Sequence, residues 1–270
     1  MSRYTRLPRK GAAQPSSRRR WKAALAIIFA VVIVFAAAVV GAFLLLRSDG
    51  GPSSPKAAIV DQLSLNEPNP EFVQAVTGTL QDAGYTVDYF SGEYATVDLF
   101  RILPERGYDL LILRVHSARV KESREGALTE EVALFSGEPY DENKYQQEQW
   151  SYRLDVARYH NAQGEETLVF GIGPDFIRDS MKGRFPGTTV IMMGCDGLSS
   201  DTAAAAFVEK GASAVVSWSG PVSAAHTDAA TESLVRRLVV DGLDAQEAVA
   251  QTAGELGPDP SYGSTLLVYP

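Results

Sequence analysis

Cysteine is all but missing from this chain: its 270 residues contain one, Cys195. A lone thiol cannot close an internal disulfide, so the fold must stand on packing alone. Histidine is nearly as scarce, with three residues, and no His/Cys/Asp group has metal-ligand spacing. No cofactor is expected; a calcium ion held by carboxylates and carbonyls of an acidic loop would need no fixed motif. Positive charge is concentrated at one end, where residues 1–22 hold eight of the 25 Lys/Arg and no acid. From residue 47 onward this leaves 17 basic against 33 acidic residues, a formal −16. Such a surface repels nucleic acid and anionic lipid, so neither is an expected partner. There is no internal repeat, and "GIGP" at 171–174 lacks the strand–GxGxxG–helix context of a dinucleotide site.

What the chain does have is a run of 24 residues without charge, "AALAIIFAVVIVFAAAVVGAFLLL" at 23–46. That length suits a helix crossing a hydrocarbon core of roughly 30 Å, and exceeds the roughly 7–15 apolar residues of a cleaved signal. The basic cluster before it favours the cytoplasm. The expected order is a cytoplasmic tail (1–22), a transmembrane helix (23–46), a Gly/Ser/Pro-rich linker (47–56) and an extracytoplasmic domain (57–270) at the cell membrane.

In that domain apolar runs alternate with helical patterns, which predicts an α/β fold with a mainly parallel sheet flanked by helices on both faces. Strands are expected at 56–63, 85–90, 109–116, 188–194, 212–220 and 264–269. Asn69-Pro70 offers an N-cap and first-turn proline to a helix ending at Gly84. "DFIRDSMKG" (175–183) reads as a helix, and Asp244 with Glu247 has capping-box spacing. The acidic stretch 118–166 breaks the rhythm and reads as a hairpin or loop excursion. His160 and His226 read as surface residues.

Open parallel sheets hold ligands outside the carboxyl ends of their strands. His116 closes the third expected strand and Cys195 follows the fourth, so neighbouring strands would bring imidazole and thiol into one crevice. An imidazole can take the proton that keeps a thiol a weak nucleophile, and a following helix N-terminus favours a thiolate. Gly194 and Gly197 let the backbone turn sharply there. The plainer reading stays open: a buried cysteine packs as a small hydrophobe, and a lone histidine satisfies its own hydrogen bonds.

The series "RVHSA", "VIMMGCDGL", "GASAVVSWSGPVS" resembles the caspase-like fold of cysteine peptidases, the group that includes caspases, gingipains, clostripain, legumain, separase and bacterial CHAT domains. The resemblance spans most of residues 56–270, though these three segments carry it. It implies a membrane-anchored peptidase acting on extracytoplasmic peptides or proteins. Cys195 would be the nucleophile, His116 the general acid/base, and the backbone N–H groups of Cys195 and Ser117 the oxyanion hole. Trp218 and Ser219 would lie beside an extended peptide substrate. "GLDAQEAVAQTA" is similar to the helix closing CHAT-type domains, and the insertion could be a processed or gating loop.

Three features depart from the pattern. Ser117 stands where relatives carry glycine, Asp196 follows the cysteine, and Met193 occupies the site of clostripain's substrate-selecting acid. Asp61 and Asp196 are then the acidic candidates for substrate contact; the alternative roles are pairing with Arg114 for Asp61 and capping of a helix for Asp196. A domain of the same fold that binds peptides or partner proteins without cutting them is the alternative, and a tethered spacer a third. Oligomeric state is open.

Overall fold

The computed structural model describes residues 54–120, 130–161 and 163–270. The expected basic tail, membrane helix and linker up to residue 53 lie outside these residues, as does 121–129 of the acidic stretch. Among the described residues no helix is long and apolar enough to cross a membrane.

Strand β1 (Lys56–Asp61) alternates its apolar residues between two cores. Ala57 and Ile59 face one, Ala58 and Val60 the other. This two-sided burial explains why the strand reads as a continuous apolar run. After a 3-10 turn at Gln62–Leu65, α1 (Pro70–Asp82) starts at Asn69, whose side chain accepts the Phe72 N–H at 3.1 Å. It ends before Gly84, which takes the left-handed conformation at φ 88°. Strand β2 (Thr86–Ser91), α2 (Val97–Ile102) and β3 (Leu110–Arg114) follow.

Further along come β8 (Thr189–Met192), α4 (Thr202–Glu209), β9 (Ala214–Trp218), α5 (Ala224–Val239), α6 (Ala245–Leu256) and β10 (Leu266–Tyr269). The main sheet has the order β10-β9-β8-β3-β1-β2, parallel except for β10. Helices α1, α5 and α6 cover one face over Phe72, Leu80, Ile112, Val216 and Leu234. Helices α2 and α4 lie on the other, with Phe100, Leu113 and Phe207. Burying each such large apolar side chain stabilises the fold by roughly 1.5–3 kcal/mol. The sheet is the mixed α/β, mostly parallel arrangement expected from the sequence.

Three expectations need correction. The acidic stretch forms a second, antiparallel sheet in the order β4-β5-β7-β6, from β4 (Ser117–Arg119), β5 (Val132–Pro139), β6 (Leu154–His160) and β7 (Glu166–Ile172). One short helix, α3 (Gln146–Trp150), interrupts it. Its inner face sends Leu134, Leu154, Phe170 and Ile172 into the core under the main sheet, and this burial offsets the polar outer residues. The expected helix at 175–183 is a single π-type turn, Phe176–Ser180, because Met181 turns extended (ψ 135°) to bury its side chain. The third strand ends at Arg114, so Val115 and His116 form the link between the two sheets.

Candidate functional site

The strand order reverses between β1 and β3: β2 lies on one side of β1, and β3, β8 and β9 on the other. This is the switch point where an open sheet leaves a crevice at its carboxyl ends. Gln62 to Glu67 follow β1 there, His116 follows β3, and Cys195 follows β8, the strand paired with β3. The segments bearing histidine and cysteine touch through their main chains. The Ser117 hydroxyl donates to the Cys195 carbonyl at 2.6 Å. A Cβ at position 194 would overlap Ser117 Oγ and the Val115 carbonyl and would sit 2.8 Å from Ser117 N. Glycine is required at 194 by this close approach.

His116 is held on three sides. Its N–H donates to Gln62 Oε1 at 2.9 Å. Its Nε2 meets the Asn66 side-chain amide, 3.1 Å from Nδ2 and 3.3 Å from Oδ1. The ring packs against Phe135 and Tyr159 of the second sheet, at centroid distances of 5.9 and 5.3 Å. Burial, then the neighbouring Arg114 charge, lowers its pKa to about 4. The imidazole is therefore neutral at pH 7 and a weaker base than an exposed histidine.

Cys195 is half-buried, and its Sγ lies against the Val222 main chain, 3.4 Å from N and 3.6 Å from O. Burial pushes the thiol pKa up, against the Val222 N–H, and the charges of Asp196, Asp259 and Glu67 push it further. The expected help from a helix N-terminus is absent: α4 begins at Thr202, and such a dipole fades within the first turn. No hydrogen bond joins Sγ to the imidazole among the described residues.

Beneath the crevice, Arg114 is 1 % exposed and bonds Asp61 through Nη1 (2.8 Å) and Asp228 through Nε (2.8 Å) and Nη2 (2.9 Å). Burial works against its charge, yet the two carboxylates hold its pKa above the ordinary value. Its Nη2 also donates to the Glu67 carbonyl at 3.0 Å, fixing the loop that presents Asn66 to His116. Asp228 further accepts from Asn69 Nδ2 at 2.8 Å.

The expected substrate contacts are placed as follows. Asp61 is fully buried and takes Arg114, the Ser64 N–H and the Tyr89 hydroxyl, so a substrate cation would have to displace Arg114. Asp196 is partly exposed and adopts φ 61°, a left-handed conformation that aspartate tolerates. It caps no helix; its N–H donates to the Gly220 carbonyl. Trp218 is core: 2 % exposed, with Nε1 donating to Thr227 Oγ1. The Trp218 carbonyl accepts the Leu198 N–H, and Ser219 N donates to the Thr265 carbonyl. The chain itself thus occupies main-chain groups expected to pair with a peptide. Of the other histidines, His160 is exposed, whereas His226 is half-buried against Trp218 at 5.2 Å.

Sequence reasoning missed Gln62, Asn66, Asp228 and Asp259. Asp259 is 1 % exposed and holds the segment beside the thiol by accepting from Ser223 N (2.9 Å) and Ser223 Oγ (2.7 Å). The crevice rule could have singled out Gln62 and Asn66, which follow β1 at its carboxyl end; nothing local marks the other two. Among the described residues no group of three or more His, Cys, Asp and Glu could hold a metal ion. Neither known protein-family models nor curated proteins match this chain.

Proposed function

We propose that the chain is a membrane-anchored, caspase-like cysteine peptidase, with Cys195 as nucleophile and His116 as general acid/base on extracytoplasmic peptides. The observation that carries this reading is the junction of Ser117 Oγ with the Cys195 carbonyl, beside Gly194, which locks the two reactive segments together at the switch-point crevice. In the general-base step His116 takes the thiol proton as sulfur attacks the scissile carbonyl, then returns it to the leaving amine; the lowered imidazole pKa and the raised thiol pKa both oppose the first transfer, which a bound substrate has to offset. For this the sulfur rotates about χ1, away from Val222. Asn66 orients the ring. Gly194 leaves the Ser117 N–H uncovered by a side chain, as an oxyanion hole with the Cys195 N–H requires. Residues 23–46 would span the membrane, with 1–22 cytoplasmic and the domain outside.

A second reading is favoured by the thiol's seat on Val222 and by its raised pKa. In it the same crevice binds peptides or partner proteins without cutting. The deciding measurement is hydrolysis of a peptide library by the full-length protein beside its Cys195→Ala variant. Turnover that disappears in the variant supports the peptidase. Turnover by neither, with binding by both, leaves the non-cutting form.

A further inference from the structure

The main sheet ends at β2, and none of the described residues pairs with the outer edge of that strand. The Thr86 N–H donates to the Pro55 carbonyl, so Thr86, Asp88 and Phe90 turn their main-chain groups toward β1. Val87, Tyr89 and Ser91 turn theirs outward, since the groups of successive residues alternate between the two sides of a strand. Three N–H and three C=O groups thus stand in a row along the free edge.

Edges of this kind are normally blunted by shortness, charge, proline or a bulge. The other sheet ends follow that rule: β10 has four residues, β4 has three, and β6 carries Asp155 and Arg158. β2 has six residues, no proline and an unbroken register with β1. Its one charge, Asp88, lies on the face away from α1, where Oδ2 accepts the Tyr108 hydroxyl at 2.6 Å. On the α1 face a groove of about 660 Å³ runs beside the edge, lined among others by Pro68, Pro70, Val73 and Tyr89. Tyr89 is 44 % exposed there.

We propose that β2 pairs with β2 of a second copy of this chain, antiparallel about a twofold axis at Tyr89. An antiparallel edge is complementary to itself, so the pair closes as a symmetric dimer. With Tyr89 opposite its mate, Val87 stands opposite the partner's Ser91, and all the outward groups are used. Sliding the pair by two residues would set the two Asp88 carboxylates opposite each other and leave Ser91 outside the ladder, so the register is specified. The two Tyr89 rings come side by side over the paired grooves, which buries their exposed surface. A free peptide makes the same main-chain bonds but brings no second Tyr89 and no second groove. Antiparallel pairing sends the carboxyl ends of the two sheets opposite ways, so both crevices stay open. The inference does not depend on the peptidase reading.

The test uses the full-length protein in detergent, with Cys195→Ala as background so that an introduced cysteine is the only thiol. Facing residues of such a pair have Cα atoms about 5.5 Å apart, within reach of a disulfide. Copper-phenanthroline should therefore join Tyr89→Cys into a covalent dimer. Val240→Cys, exposed just beyond α5, reports random collision and should cross-link about tenfold more slowly. Without the cysteines, Tyr89→Lys sets two like charges across the axis and should turn the dimer seen by light scattering into a monomer, with thermal unfolding showing that the domain stays folded. Should Tyr89→Lys not fold, the cross-linking rates decide alone. A monomeric parent, a Tyr89→Cys variant that cross-links no faster than Val240→Cys, or a dimer unchanged by Tyr89→Lys overturns the proposal.

Discussion

Replacing Arg114 by methionine removes the cation at the centre of the buried network while keeping a stem of similar length against Phe72, which the guanidinium now covers at 5.4 Å. Two carboxylates remain, Asp61 at 0 % and Asp228 at 4 % exposure. Asp61 keeps the Ser64 N–H and the Tyr89 hydroxyl, and Asp228 keeps the Asn69 amide. Neither retains a positive partner. Breaking a buried pair in this way costs about 3–5 kcal/mol. In a domain of this size each kcal/mol lowers Tm by about 2–4 °C, so thermal unfolding followed by circular dichroism at pH 7 should show a fall of roughly 6–20 °C. Combining Arg114→Met with Asp61→Asn and Asp228→Asn abolishes the stranded charges and should recover most of the loss. A single variant that loses less than about 1 kcal/mol, or a triple variant no more stable than the single, would refute the reasoning.

Three other outcomes are expected. Gly194→Ala forces a methyl into Ser117 Oγ and the Val115 carbonyl and should destabilise by about 1–3 kcal/mol, as overpacking does, measured by urea unfolding; a neutral effect would remove the close approach. Alkylation of Cys195 by iodoacetamide should be slow at pH 7 and climb steadily above pH 9, since burial raises the thiol pKa; a rate plateau below pH 7 would contradict it. Two groups act oppositely on stability against pH. Neutral His116, lowered from 6.5 to about 4, makes stability fall as pH drops through that window, because the unfolded chain binds the extra proton. Asp155, raised from 3.8 to about 6, makes stability fall as pH rises through its window, because the folded chain holds the proton longer. Asp155→Asn should thus stabilise at pH 7 by about 1 kcal/mol, allowing for solvent screening, and by nothing near pH 4.

The layered sheet was legible because its central strands are buried on both faces and its helices carry their own punctuation at Asn69-Pro70 and Asp244. The second sheet was harder to read. Its strands are broken by acidic and polar residues on the outer face, and Gly171 and Ala157 give no apolar period to detect. The positions of Cys195 and His116 near strand ends could be read, since each follows an apolar run; that β3 and β8 are neighbours could not. What each side chain touches could not. Asp228 lies 114 residues from Arg114, and Asp259 lies 36 from Ser223, so only the folded chain shows that they meet. Trp218 shows the same limit: its place on a strand followed from the pattern, but its burial against Thr227 depends on where α5 packs.

Only Val115 and His116 separate the last residue of β3 from the first of β4. The imidazole therefore sits at a seam, with its backbone handed from one sheet directly to the other. A tilt of the antiparallel layer would swing the ring with it, whereas the sulfur, rooted on the parallel layer after β8, would be carried along through the ties between the two, the serine hydroxyl and the Val132–Thr202 bond among them. The relative attitude of the two layers is thus a direct mechanical coordinate of the gap between imidazole and thiol.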